Sequence, residues 1–274
     1  MFDRLRETIR RHWTARADGV VGNSNDGGPD DLTPDHDDDV PPLIPPDAQR
    51  VSRRALCLAA HTGRGLLEHA SDQAATEALD RLQRWLPEAG LNEELEELER
   101  AVIMTPMGEL NPQQAVNASW RSEGLAVLAW SLGRATLKPQ DEQIDPDPII
   151  GACGMFAPVE ELEVMHANAQ LCSPVEIEDE ASRQLAVHWR LRQFTHYGNK
   201  PMNFVAFAEG VQWAQFNLEG VAILEDDLAV GGKPIAQADT AHVQMMTSIV
   251  QERHHAANWL LGWEELYSEV TTDT

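Results

Sequence analysis

The chain of 274 residues carries 21 Lys plus Arg against 45 Asp plus Glu, a formal charge of −24 with histidine neutral. No apolar run approaches the roughly 18 residues of a membrane span, and three distant cysteines exclude a disulfide-stapled module. A phosphate backbone rewards clustered Lys and Arg, so a body this acidic is not expected to bind nucleic acid.

Residues 1–16 read as a basic amphipathic helix. Phe2, Leu5, Ile9 and Trp13 recur at helical spacing, with Arg4, Arg6, Arg10, Arg11 and Arg16 between them. Such a segment fits an anionic membrane, a partner, or the acidic body of its own chain. It lacks the apolar stretch of a secretory signal, and with the unpaired cysteines this predicts a cytoplasmic protein. Residues 17–46 form an acidic Gly/Pro/Asp-rich linker, including Asp35-His36-Asp37-Asp38-Asp39. Without residues 1–46 the remainder still carries 16 bases and 35 acids, or −19, so the acidity belongs to the body.

From residue 47 the pattern is helical. Asp47 or Ser52 caps a helix through about His69, and Ser71 caps a second, 72–87, stopped by Pro87 and Gly90. Asn92 opens a third, Glu93 to Met104, whose thin face of Leu95, Leu98 and Val102 places it at the surface. The span 112–132 is the clearest element. Asn111 caps it, Pro112 suits its first position, Gln114 completes a capping box and Gly133 ends it. A loop from Lys138 to Pro148 precedes a helix at about 158–170 and another from Glu176 to about Phe194. Residues 196–218 read as loop with a helical turn around 210–216. Asp227–Val230, Gly231-Gly232 and Lys233–Ile235 read as a β-hairpin with an edge strand at Pro234. The last helix spans about 239–263. The expected fold is mainly α: a multi-helix single domain over 47–274 with one small β-hairpin near the C-terminus.

Three stretches carry a resemblance. Ala118–Gly133 resembles a "W-R-x-E-A-L-x-x-L-x-W-A-L-G" helix, and Gln251–Gly262 an "x-E-R-H-x-A-x-N-W-L-x-G" helix. Val270–Thr274 resembles a terminal "D-V-x-T-D-T". Together with an "R-x-x-R-A-L" opening between Arg50 and Leu56, this order resembles the bacterial domain-of-unknown-function family 4272 over residues 40–274. The chain departs from that pattern at Gly124, where alanine is expected, at Tyr267-Ser268-Glu269, where Trp-Asp-Asp is usual, and in its long acidic linker. The resemblance implies a mainly α fold and transfers no catalytic residues.

Charged and polar side chains stand inside the two most apolar helices. Arg121 shares a face with Leu125, Leu128 and Leu132, and Glu123 one with Trp120, Val127 and Trp130. Arg253 aligns with Ile249, Ala256 and Leu260, and His254 with Val250, Ala257 and Leu261, with Asn258 one turn on. A buried charge costs several kcal/mol unless it is paired. The expected partners are therefore Glu123 with Arg253, and Arg121 with Asp273 or the carboxylate of Thr274. Three readings of this set stay open: a register-fixing network, a pocket with His254 as acid–base and an arginine holding an anion, or the support of a partner-binding surface.

The chain has no G-x-S-x-G, no phosphate-binding Gly loop and no H-E-x-x-H. His61 and His69 lie eight apart without a third ligand, so no catalytic residue, cofactor or metal is expected. The leading functional expectation is a non-catalytic adaptor or immunity-type inhibitor whose acidic surface captures a basic protein partner. Acidity that only serves solubility, an enzyme or ligand-binding protein around Glu123, Arg253 and His254, and membrane association through residues 1–16 are the alternatives.

Overall fold

The computed structural model describes residues 44–70 and 72–272. The expected helix 1–16, linker residues 17–43, Ser71, Asp273 and Thr274 lie outside the described residues.

Helix α1 (Ala48–Ala70) begins at Asp47, whose carboxylate accepts the Arg50 backbone N–H at 2.7 Å and satisfies an amide that has no partner within the helix. Helix α2 (Gln73–Glu88) is capped by Asp72, which accepts from the Ala75 N–H at 2.8 Å. It runs through Pro87, because a proline in the last turn does not end the helix at once. Helix α3 (Glu97–Met104) starts four residues later than the acidic run from Glu93 predicts, at a reciprocal capping box between Glu96 and Glu99. Its inward residues are Glu99 and Ile103, whereas Leu98 is 72% exposed. The predicted face was therefore rotated.

Helix α4 (Pro112–Ser131) begins with the capping box of Asn111 and Gln114. The expected loop 138–148 gives way at Pro146 to a short helix, α5 (Pro146–Ala152); proline at a first helical position starts helices as well as loops. Helices α6 (Val159–Ala167) and α7 (Pro174–His196) follow, the second capped by Ser173 and Glu176. The helical turn expected at 210–216 lies earlier, as α8 (Phe204–Gly210), where the Asn203 side chain caps the Ala206 N–H at 2.8 Å.

Three short antiparallel strands stand in the order β1 (Ile223–Leu224), β2 (Asp227–Val230), β3 (Lys233–Pro234). The Gly231-Gly232 turn sets Val230 opposite Lys233 and Ala229 opposite Pro234. Strand β1 was not legible. Its turn to β2 puts Glu225 and Asp226 at φ of 53° and 60°, a conformation usually marked by Gly or Asn. Ile235 leaves the strand for a 3-10 turn, Ile235–Gln237. Helix α9 (Thr240–Leu260) and a 3-10 turn, Tyr267–Glu269, complete the fold.

Helix α1 packs along α4, α4 along α9, and α9 along α7. At Gly65 a β-carbon would lie 2.8 Å from Ala115 O, Ala118 Cβ and Ser119 N, so glycine permits the close approach of α1 to α4. Two apolar clusters result. One gathers α1, α4, the C-terminal half of α9 and the smaller helices. The other joins α7, Phe204, the sheet and the N-terminal half of α9. No described helix is long and apolar enough to cross a membrane.

Candidate functional site

Arg253 and Glu123 face each other between α9 and α4, both 0% exposed. Arg253 Nε and Nη2 lie 3.0 and 2.9 Å from Glu123 Oε2. The remaining donors reach backbone: Nη1 donates to the carbonyls of Lys138 at 2.7 Å and Pro139 at 3.2 Å, and Nη2 to Glu142 at 3.0 Å. Glu123 Oε1 accepts the Ile144 N–H at 2.9 Å. The pair therefore binds the strap 138–144 from both ends, and its desolvation cost is offset by satisfied hydrogen bonds. Burial raises the Glu123 carboxyl above its ordinary value, and Arg253 and the Ile144 N–H oppose that rise.

The partners expected for Arg121, Asp273 and Thr274, lie outside the described residues. Among the described residues, Arg121 Nη1 donates to Glu252 at 3.0 Å, across the same α4–α9 interface. His254 turns toward α7, where its Nδ1 stands 3.1 Å from His188 Nδ1, one ring donating to the other. Burial lowers the His254 pKa to about 3 and that of His188 to about 4, so both are neutral near pH 7, outside the range for acid–base work there. Asn258 Nδ2 donates to the Thr271 carbonyl at 3.0 Å and holds the last described residues against α9. The predicted residues thus divide among separate clusters, each consumed by its own partners.

Three further buried arginines were missed. Arg54 lies under the 94–99 segment. It donates to the Glu94 carbonyl at 2.8 Å and to Glu96 at 3.3 Å, and pairs tightly with Glu99. Arg190 grips Asp227 through two bonds of 2.6 Å, and Asp227 also accepts the N–H groups of Leu228 and Met202. Arg64 donates to the carbonyls of Thr105 and Pro106 just past the end of α3, where a cation suits the helix dipole. The available signal was an arginine set directly among small and apolar residues, as in Arg54-Ala55-Leu56.

An open concavity of about 300 Å³ lies at the start of α3, lined by Arg50, the 93–98 stretch, Leu266 and Ser268. Glu94 is held by Arg50 at 3.3 Å, and Glu96 accepts the Ser268 N–H at 3.1 Å. Glu93 and Glu97 are exposed and make no ion pair among the described residues. Burial raises the Glu94 carboxyl, with Arg54 and Arg50 pulling it back. The groove thus holds four carboxylates, two of them engaged, beside the Arg50 guanidinium.

A family model described as Domain of unknown function (DUF4272) matches residues 29–209, more than half of the chain. The chain belongs to this family. The match runs from before α1 into α8 and ends before the sheet and α9, so the motifs at Gln251–Gly262 and Val270–Thr274 lie beyond it. No curated protein and no solved structure matches the chain.

Proposed function

We propose that this member of the DUF4272 family is a non-catalytic interaction protein, an adaptor or immunity-type inhibitor whose acidic surface captures a basic protein partner. The observation that carries this reading is the division of the charged residues. Those buried between the helices are paired with one another and with backbone carbonyls, as Arg253 is with Glu123 and three carbonyls. The uncommitted carboxylates of Glu93 and Glu97 instead line an open groove. A cluster of like charge in a concavity raises the local concentration of oppositely charged partners and speeds their association. The free cysteines Cys57, Cys153 and Cys172 fit a reducing, cytoplasmic setting.

Affinity capture from the native host, at low and high salt, tests it with wild-type protein and the Glu93→Lys/Glu97→Lys variant side by side. A basic protein retained by wild type at low salt, released at high salt and lost by the variant is the expected result. Failure of wild type to retain any basic protein contradicts the reading.

A further inference from the structure

We propose that Arg134 and His166, joined through the Ser52 hydroxyl, form a binding site for a small free carboxylate of acetate size. The site is separate from the acidic groove and does not depend on how that groove is read.

Helix α6 packs on α1, and their contact brings His166 to Ser52. Arg134 reaches the same place from the turn that ends α4, where Gly133 has a φ of 68°. Arg134 Nη2 donates to Ser52 Oγ at 2.8 Å and to the Met165 carbonyl at 3.4 Å. Ser52 Oγ in turn lies 2.7 Å from His166 Nδ1. A guanidinium only donates, so the serine oxygen accepts from Arg134 and donates its own O–H to Nδ1. His166 is then the neutral tautomer, with its ring proton on Nε2.

That chain leaves two donors open, Arg134 Nη1 and His166 Nε2, both buried and without a partner among the described residues. Buried donors are nearly always satisfied, and these two stand on either side of one hydroxyl. What they lack is an acceptor. The surrounding charge points to an anionic one. Arg54, Arg64, Arg190 and Arg253 each meet a carboxylate, whereas Arg134 meets none among the described residues. Burial first, and then Arg134 and Arg53, lower the His166 pKa to about 4, so both charges that bear on the ring are positive. Burial also pushes the neighbouring Cys153 thiol up to about 12, so it supplies Arg134 with no thiolate.

A carboxylate has two oxygens for the two donors. Its single charge balances Arg134, the cation within hydrogen-bond reach, while His166 stays neutral. A phosphate dianion would bring a further charge into a buried place. Access sets the size. His166 is 8% exposed and neither open donor reaches solvent, so a ligand enters only as half-buried Arg134 turns aside.

Titration of the full chain with sodium acetate at pH 7, followed by the ring resonances of His166, tests this. Sodium chloride and inorganic phosphate at equal ionic strength are run alongside. Acetate is expected to shift the His166 Nε2–H signal saturably and to slow its exchange with water. Arg134→Gln is expected to weaken that response about tenfold or more, as loss of a charged donor does, with His188 and His254 unmoved. A melting transition without acetate establishes that the variant is folded. Should it not fold, Arg134→Lys takes its place, since lysine keeps the charge and loses the planar fork, and the same weakening is expected.

Absence of a saturable shift in wild type overturns the proposal. So does an equal shift with chloride, which assigns it to ionic screening, and so does a response retained in the folded variant. A saturable response to phosphate but not to acetate overturns the carboxylate assignment.

Discussion

Tyr267 places its hydroxyl where a β-carbon on residue 124 would stand, so Gly124 is the side of α4 that admits the C-terminal turn. These are two of the positions at which the sequence departs from the pattern it resembles, and in the fold they form one contact. A smaller residue on α4 accompanies a ring whose tip needs the space. Arg54 and Arg121 flank that ring at 5.3 and 5.7 Å, and His255 Nε2 donates to the Tyr267 carbonyl at 2.6 Å. The buried hydroxyl itself has no hydrogen-bond partner among the described residues.

Gly124→Ala therefore destabilises the protein, by about 1–3 kcal/mol for an overpacked site, although alanine is the better helix former. Tyr267→Phe removes an unsatisfied buried hydroxyl and is expected to be neutral or slightly stabilising. The double variant recovers most of the Gly124→Ala loss. Urea unfolding of the three variants checks this, and additivity of the two changes contradicts the contact.

Arg253→Met leaves Glu123 buried without its cation and frees the carbonyls of Lys138, Pro139 and Glu142. Removing one member of a buried pair costs about 3–5 kcal/mol. Glu123→Gln combined with Arg253→Met is expected to lose less than Arg253→Met alone, because no charge is then stranded. Exchange of the 138–144 amides should rise in both. Unchanged melting with loss of a measured activity would instead mark the pair as functional.

Acid lowers stability through buried histidines. Burial lowers His61 and His254 to about 3, and His166, His188 and His255 to about 4, from an ordinary 6.5. Between pH 6.5 and 4 the unfolded chain binds protons that the folded chain refuses, so unfolding is favoured as the pH falls. The buried carboxyls Glu99 and Glu123, raised by burial against the pull of Arg54 and Arg253, act in the opposite direction at the acid end. Urea midpoints are expected to fall over that window, and His188→Gln/His254→Gln should flatten the fall. A flat profile in wild type contradicts the neutral buried pair.

Asp227→Asn weakens the hold of Arg190 on the sheet and leaves that guanidinium without its carboxylate. A loss of about 3–5 kcal/mol is expected, with exchange rising first in residues 200–230, since Asp227 also holds the Met202 and Leu228 amides. Uniform loosening of the whole chain would contradict this local role.

The sequence made legible whatever follows from helical periodicity and capping. Asn111-Pro112 with Gln114 marked the start of α4 to the residue, and Gly231-Gly232 marked the β2–β3 turn. The apolar surroundings of Glu123 and Arg253 identified both as charges in need of partners. Less was visible where tertiary context decides. Leu98 looks like a core residue in sequence, yet α3 turns Glu99 inward because Arg54 waits there. The hairpin turn at Glu225-Asp226 has no sequence mark. His254 was read together with Arg253, but adjacent helical residues point about 100° apart, which sends one to α4 and the other to α7. The acidic groove was hidden because its walls come from Arg50, the 93–98 stretch and Leu266, brought together only by folding.

The division of labour between interior and surface ions is tested most directly by partner capture with two variants in parallel. Glu93→Lys/Glu97→Lys should lose the basic partner while melting like wild type, and Glu123→Gln/Arg253→Met should keep the partner while melting lower. Capture that survives reversal of the groove charges, and fails when the interior pair is removed from a still-folded chain, would contradict the account.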